Sequence, residues 1–320
     1  MTGAAQLKIG AQLFAEVDQW RTLRDAARRL DGLPYEYLFL SDHLTGISER
    51  ESVSVFEGYT TLAALAAVTE HPKLGLLVGA NTFRNPAYAA KMAATIDNIS
   101  GGRAIFGLGA GWHEREHEAY GFDFGASPGA RLKRMHEALS LVKPLLAGET
   151  VTHSGVAYSA NSLELTPKPT QPRIPVMIGG VGERRTLRDV AEFADIWNAQ
   201  VSLAGAPHKV DVLKGHCAAI GRDIADIELS IDCRVFIRDT ADAARADLEA
   251  AYRAEGATPP APDSEYHWVG TPEQVAGRVV DFHRLGFTTV VSGFSQPYDE
   301  ESMRRFAHEV IPTALELLNQ

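Results

Sequence analysis

Cysteine is nearly missing from this 320-residue chain: it has two, Cys217 and Cys233. No CxxC pair and no histidine at ligand spacing accompanies them, so neither a disulfide framework nor a thiolate metal site is expected. Two idle or buried thiols in a reducing compartment fit better. No apolar run approaches the ~18 residues of a membrane span. The N-terminal stretch MTGAAQLKIGAQLF has no basic region followed by an apolar core and a cleavage site, so a soluble, cytoplasmic protein is expected. Positive charge is in deficit, with 31 Lys and Arg against 41 Asp and Glu, a formal net charge of −10. That balance works against nucleic acid, which wants a basic stripe, and against an anionic membrane surface. It leaves room for a small anionic cofactor, because local arginines can outweigh the global field. There is no internal repeat, no low-complexity tract, and no GxGxxG opening a helix after the first strand.

What is present is a regular alternation of strand and helix patterns. It is clearest from Leu74 to Trp112. Leu74 to Val78 is an apolar run of strand length, closed by Gly79-Ala80-Asn81-Thr82. Pro86 sits where a first helical residue is favoured. Ala89, Ala90, Met92, Ala93, Ile96 and Ile99 follow at helical spacing, and Ser100-Gly101-Gly102 stops the helix. Ala104 to Leu108 is a second strand, running into Gly109-Ala110-Gly111-Trp112. Two strands joined by a helix make a parallel, right-handed βαβ unit. Along the chain the strand candidates are Leu7–Leu13, Tyr37–Leu40, Leu74–Val78, Ala104–Leu108, Val176–Ile178, Asp195–Asn198, Glu228–Ile237 and Thr288–Ser292. Helices are expected between them, and one closing helix over Asp299–Leu318. Eight βα units over one continuous core predict a (β/α)8 TIM barrel occupying residues 1–320 as a single domain. The stretch 149–158 reads as a hairpin. The proline-rich segment Leu165–Pro175 reads as a surface insertion without regular structure.

In such a barrel, chemistry sits in the loops after the strands. Strand two ends at Asp42 and His43. Histidine titrates near neutrality and can exchange a proton with a reacting centre; a solvated loop histidine is the bland alternative, and Asp42 could orient it or merely cap the loop. Gly179-Gly180-Val181-Gly182, ahead of a helix carrying Arg184, Arg185 and Arg188, suits an anion through the helix N-terminus and arginine forks. It could equally be a plain strand-to-helix turn. It also follows strand five, earlier than the usual barrel phosphate site after strands seven and eight. GLGAGW lacks the third glycine and the later acid of a nucleotide fingerprint, and reads as a tight backbone against which a flat cofactor can lie. His113-Glu114-Arg115-Glu116-His117 matches H-E-x-x-H, but it follows a glycine loop in a barrel pattern. It reads as a solvated charged turn, with no metal expected.

SDH at 41–43, NTFRNP at 81–86, DNISGGRAIFGLGAGWHEREHEAYGFDFG from 97 and MIGGVGERRTL at 177–187 occur in family order. As a set they resemble the luciferase-like monooxygenase superfamily, and within it the branch that uses the deazaflavin coenzyme F420. The resemblance spans Ile9 to about Asn198 and returns over Thr271–Gly293. It implies a barrel with its insertion between strands four and five, and a flavin-like ring lying across the mouth. It implies a non-proline cis peptide near Leu77-Val78-Gly79. Asp42 and His43 would lie beside the ring, with His43 the proton donor or acceptor. Leu77, Val78, Gly79, Ala80, Asn81, Ala110 and Gly111 would line the cofactor, and Gly179, Gly180, Val181 and Arg185 its phosphate-bearing tail. The glutamate that follows the strand-four glycine loop in sugar-phosphate dehydrogenases of this branch is replaced by Trp112. No matching lysine and arginine pair is present. Trp112, Phe83 and Trp197 instead suit a flat or apolar substrate. The expected activity is hydride transfer between coenzyme F420 and a small organic substrate. The alternatives are an FMN-dependent monooxygenase fed by a separate flavin reductase, and a barrel that binds a flavin or ligand without turnover. A homodimer is expected from the resemblance.

Overall fold

Strand alternation sorts the side chains of this protein into two layers, one facing the barrel lumen and one facing the surrounding helices. The computed structural model describes residues 7–47, 53–254, 256–294 and 298–320. The first six residues of the stretch read for a targeting signal lie outside them. The elements run β1 (Lys8–Leu13), α1 (Trp20–Asp31), β2 (Tyr37–Leu40), α2 (Gly58–Val68), β3 (Lys73–Leu76), β4 (Gly79–Ala80), α3 (Pro86–Ser100), β5 (Ala104–Gly109), α4 (Glu114–Tyr120), α5 (Pro128–Leu146) and the hairpin β6 (Val151–Ser154) and β7 (Ser159–Leu163). They continue with β8 (Val176–Gly179), α6 (Thr186–Phe193), β9 (Ile196–Ala199), α7 (Ala206–Ala219), β10 (Glu228–Ile237), α8 (Ala241–Ala254), β11 (His267–Gly270), α9 (Pro272–Arg284), β12 (Thr289–Phe294), α10 (Glu300–Arg305) and α11 (Ile311–Leu318).

Parallel pairing runs β1, β2, β3, β5, β8, β9, β10, β12 and back to β1, which closes an eight-stranded (β/α)8 barrel. The outward residues, such as Ile9, Ala11, Leu38, Leu40, Phe106, Ile178, Trp197 and Ile231, form one apolar layer with the helices. The lumen is filled by Tyr37, Phe39, Ile105, Met177, Ile196 and Val291, with Leu77 and Val78 packed above them. Apart from the Tyr37 hydroxyl, which donates to Glu228 and accepts from Lys8, the plug is apolar, a floor rather than a channel.

Several local expectations change. Strand β11 was not anticipated; it joins the upper half of β10 outside the eight-strand closure, pairing Arg234 with His267. The closing helix is broken: a wide π turn at Phe306–Val310 separates α10 from α11. Pro312 has no N–H to offer the carbonyl of His308, which the straight helix would require. The charged run 113–118 is not a solvated turn. It forms α4, whose Glu116 and His117 are buried, and Gly121 ends it in the left-handed conformation at φ 70°. Helix α6 starts at Thr186, so Arg184 and Arg185 lie in the turn before it.

The insertion between β5 and β8 is tied down by one buried carboxylate. Asp97, at the end of α3, accepts from the N–H of Thr170 at 2.6 Å, from Gln171 Nε2 at 2.6 Å and from the N–H of Ala104 at 3.2 Å. Thr271 and Gln274 close a reciprocal capping box on α9, satisfying two otherwise orphaned donors. Among the described residues no helix is long and apolar enough to cross a membrane.

Candidate active site

The loops after the barrel strands surround a cavity of about 530 Å³ at the mouth. Its floor is made by a backbone irregularity. Leu74 pairs with Ala104, but Gly79 pairs with Leu108, a slip of one residue between the strands. The slip falls at Leu77-Val78, joined by a non-proline cis peptide, where the resemblance placed one. Gln12 Nε2 donates to the Leu77 carbonyl at 3.1 Å from across the lumen. Val78 is turned into space that two glycines leave open. A Cβ on Gly109 would come 2.7 Å from Val78 Cγ2, and one on Gly179 would come 2.9 Å from it. The floor and its two flanks are therefore side-chain-poor, with Leu77 and Val78 and the small Ala80 and Ala110 set among glycines.

His43 stands on the wall, its ring edge-on to Trp112 with centroids 5.6 Å apart. Its Nδ1 lies 3.1 Å from Glu116 Oε1, and Glu116 Oε2 accepts from the Leu44 N–H at 2.9 Å. Burial pushes the Glu116 pKa up. The His43 hydrogen bond, the Leu44 N–H and the charges of His43 and His113 more than offset it and hold the carboxyl below its ordinary range. An ionised carboxylate only accepts, so His43 carries its neutral-form proton on Nδ1. Nε2 is then the nitrogen left for exchange.

Asp42 is engaged elsewhere. It takes a bidentate pair from Arg84, at 2.6 and 2.8 Å, and accepts from the Ala80 N–H at 2.9 Å. Arg84 reaches Glu57 as well. The carboxylate braces the strand-three loop and does not touch His43. A forked arginine in a buried place makes a strong, directional tie.

Of the other expected site residues, Leu77, Val78, Ala80, Ala110, Gly111, Trp112, Gly179, Gly180 and Val181 line the cavity. The rest are elsewhere. Gly79 lies in the wall, where a Cβ would meet the Gly107 carbonyl at 2.9 Å. Asn81 is buried and donates from Nδ2 to the Tyr158 hydroxyl at 3.1 Å. Phe83 packs on His117 and Phe122 behind the loop. Trp197 is fully buried on the helix side of β9, donating to the Gly180 carbonyl at 2.8 Å, so it is not a substrate contact in this geometry. Arg185 donates to the Gly129 carbonyl at 2.7 Å on an outer shelf shared with Arg184 and Lys209. The two histidines of H-E-x-x-H do not converge. His113 caps α4, while His117 has both ring nitrogens engaged, by the His113 carbonyl at 2.7 Å and Thr82 Oγ1 at 2.6 Å.

A model of the luciferase-like monooxygenase family matches residues 2–289. The chain belongs to that family. An FMNH2-dependent dimethylsulfone monooxygenase of Pseudomonas putida is 28% identical, over 98% of this chain and 93% of that protein. A 5,10-methylenetetrahydromethanopterin reductase of Archaeoglobus fulgidus is 27% identical over 87% of this chain and 91% of that protein. A solved coenzyme F420-dependent tetrahydromethanopterin reductase from Methanopyrus kandleri superposes with a TM-score of 0.80 at 19% identity, covering 96% of this chain and 99% of that one. The relatives are oxidoreductases of two kinds, and this chain is an oxidoreductase of the luciferase-like family.

The cavity of this luciferase-like barrel also holds Gln12, Glu116, Gln200, Asp232 and Tyr266, which were not expected there from the sequence, and Asn198 of the sixth barrel strand, which faces the mouth. Most carried a signal. In β10 the run Ser230-Ile231-Asp232-Cys233-Arg234-Val235 alternates polar and apolar, and the apolar set is in the outer layer, which turns Asp232 to the lumen. The same parity in β9 puts Asn198 inside and Trp197 outside. Glu116 carried no comparable signal, because its partner is 73 residues away. Burial pushes the Asp232 carboxyl up to about 7.

Proposed function

We propose that this protein is a coenzyme F420-dependent oxidoreductase acting on a small organic substrate, with His43 as the proton donor or acceptor. The observation that carries the reading is the pairing of a flat, glycine-flanked floor with a histidine held by Glu116 at its edge. A planar ring fits against Val78, Ala80 and Gly109–Gly111, because no side chain stands in its way. The tail of such a cofactor is anionic. Gly179–Val181, the start of α6 and the shelf of Arg184 and Arg185 supply the N-terminal dipole and positive charge that favour it, Lys209 being paired with Glu183. The two depressions adjoin, sharing Leu132, Val181 and Thr186. The deazaflavin supplies hydride chemistry when bound. The protein's part is to hold the substrate between the ring plane and the rim at Trp112, and to exchange one proton through His43 Nε2. Glu116 fixes the imidazole tautomer and holds the ring in place.

The second reading is an FMN-dependent monooxygenase supplied by a separate reductase. The full-length likeness to the dimethylsulfone monooxygenase favours it. Titration of the purified protein with F420 and with FMN, followed by fluorescence, separates the two. Saturable binding of F420 with none of FMN is expected. Saturable binding of FMN alone overturns the first reading in favour of the second.

A further inference from the structure

Among the described residues lining the cavity there is no lysine and no arginine. Three carboxyl groups face it. Asp42 is neutralised by Arg84 and Glu116 is engaged by His43. Asp232 has no such partner: no described side chain donates to its carboxylate, and its own backbone N–H is its one hydrogen-bonding neighbour. Uncharged hydrogen-bonding groups share the cavity with it, Asn198, Gln200 and Tyr266. Asp232 is partly buried and also lines a small annex of the cavity, together with Gln200 and Tyr266. Leaving a carboxyl desolvated without a counter-charge is costly. A ligand that brings the missing positive charge relieves that cost when it binds.

The charges of the site are also separated along its length. The shelf of Arg184 and Arg185, where Lys209 is paired with Glu183, opens at the α6 side, and the unpaired acid lies at the β10 side. An anionic cofactor tail on the shelf leaves the acidic end for the second reactant. Phe14, Leu132 and Met135 add apolar surface to the wall, and Arg234, two residues along β10 from Asp232, is stacked on Phe14 and Tyr252.

We propose that Asp232 is the specificity-determining residue of this cavity and that the substrate carries a basic, protonated nitrogen beside an apolar body. The proposal rests on the reading that the mouth cavity holds the redox cofactor. The carboxylate takes the ammonium as a charge-assisted pair, and the same charge repels carboxylate and phosphate substrates.

The test is calorimetric binding of three probes of one shape, benzylamine, benzyl alcohol and benzoate, to the full chain with and without F420. Benzylamine, protonated at neutral pH, is expected to bind at least about tenfold more tightly than benzyl alcohol, with benzoate weaker still. Asp232→Asn is expected to remove the preference and leave benzyl alcohol unchanged, whereas Asp232→Glu keeps it. The proposal is overturned if benzylamine does not bind, if benzyl alcohol or benzoate matches it, or if Asp232→Asn retains the preference. F420 binding is read separately by fluorescence. Loss of the amine preference with F420 binding intact sinks this proposal alone, and an amine preference without F420 binding sinks the cofactor reading alone.

Discussion

His43 and Asp42 are neighbours in sequence with separate partners in space. Asp42 belongs to the Arg84 brace and His43 to Glu116. Replacing His43 with Ala is expected to lower turnover by about 10²–10⁴-fold, the usual worth of a positioned acid or base, with cofactor affinity changed by a few-fold at most. Steady-state kinetics beside a binding titration checks this, and unchanged turnover would remove His43 from the chemistry. Glu116→Gln is expected to give a smaller fall and to displace the acid limb of the pH profile. The histidine was legible because it ends a strand, while its partner was not, since only the folded chain brings α4 over the strand-two loop. Asp232 gives a second expectation at this scale. Its carboxyl is raised from 3.8 to about 7 by burial, while Tyr266 and Cys233, which interact with it, are pushed up and stay neutral. A raised acid binds its proton more tightly in the fold than in the unfolded chain. Its favourable share of stability is present below 3.8 and is lost as pH rises through about 7. His267 runs the other way. Burial, then Arg234 and Arg245, depress it from 6.5 to about 4, so its share is present above 6.5 and lost as pH falls through about 4. Calorimetric Tm of the ligand-free protein should therefore show Asp232→Asn gaining on the parent as pH rises through about 7. Equal Tm differences at every pH would contradict that sign.

Among the elements, the β3–β4 slip and the glycines opposite it form one device. A methyl on Gly109 would meet Val78 Cγ2 at 2.7 Å, and the valine has no free direction to take except upward, into the cavity. Gly109→Ala is expected to cost about 1–3 kcal/mol of stability, as overpacking does, and to weaken cofactor binding more than a surface change would. Denaturant titration and a cofactor titration on the same variant check both parts. Unaltered cofactor affinity would mean that the floor is not the ring's seat. The sequence showed the glycines and the strands around them but not the slip, because a single extra residue leaves the apolar pattern of Leu74–Val78 intact. Strand parity was legible and went unused at β9. Adjacent residues of a strand cannot both face the lumen, and the period of two assigns it to Asn198 and sends Trp197 outward. The broken C-terminal helix could have been read from Pro312.

At the scale of the molecule, the eight barrel strands were all legible, since each is an apolar run between turn signals; their alternation with helices implies a parallel sheet, and the count of eight favours its closure. Strand β11 was not: four residues, HWVG, carry too little pattern to stand out from the loop before them. The hairpin β6–β7 forms its own two-stranded sheet, apart from the barrel, and most of its residues are at least partly exposed. Hydrogen exchange should open it first and leave β1, β10 and β12, each paired on both edges, among the last to exchange. Earlier exchange of the barrel would contradict this division. Strand β10 changes partner along one edge, pairing with β9 over Glu228–Ile231 and with β11 over Arg234–Ile237. On the β9 edge the ring of strands is thus sealed only below Asp232, while β12 stays paired as far as Arg234, and the chain segments around Gln200 and Tyr266 are not part of the seal. Descendants of this sequence can insert, delete or exchange residues there without breaking the closure, so reactant choice is free to drift in a lineage while the scaffold and the flat floor stay fixed.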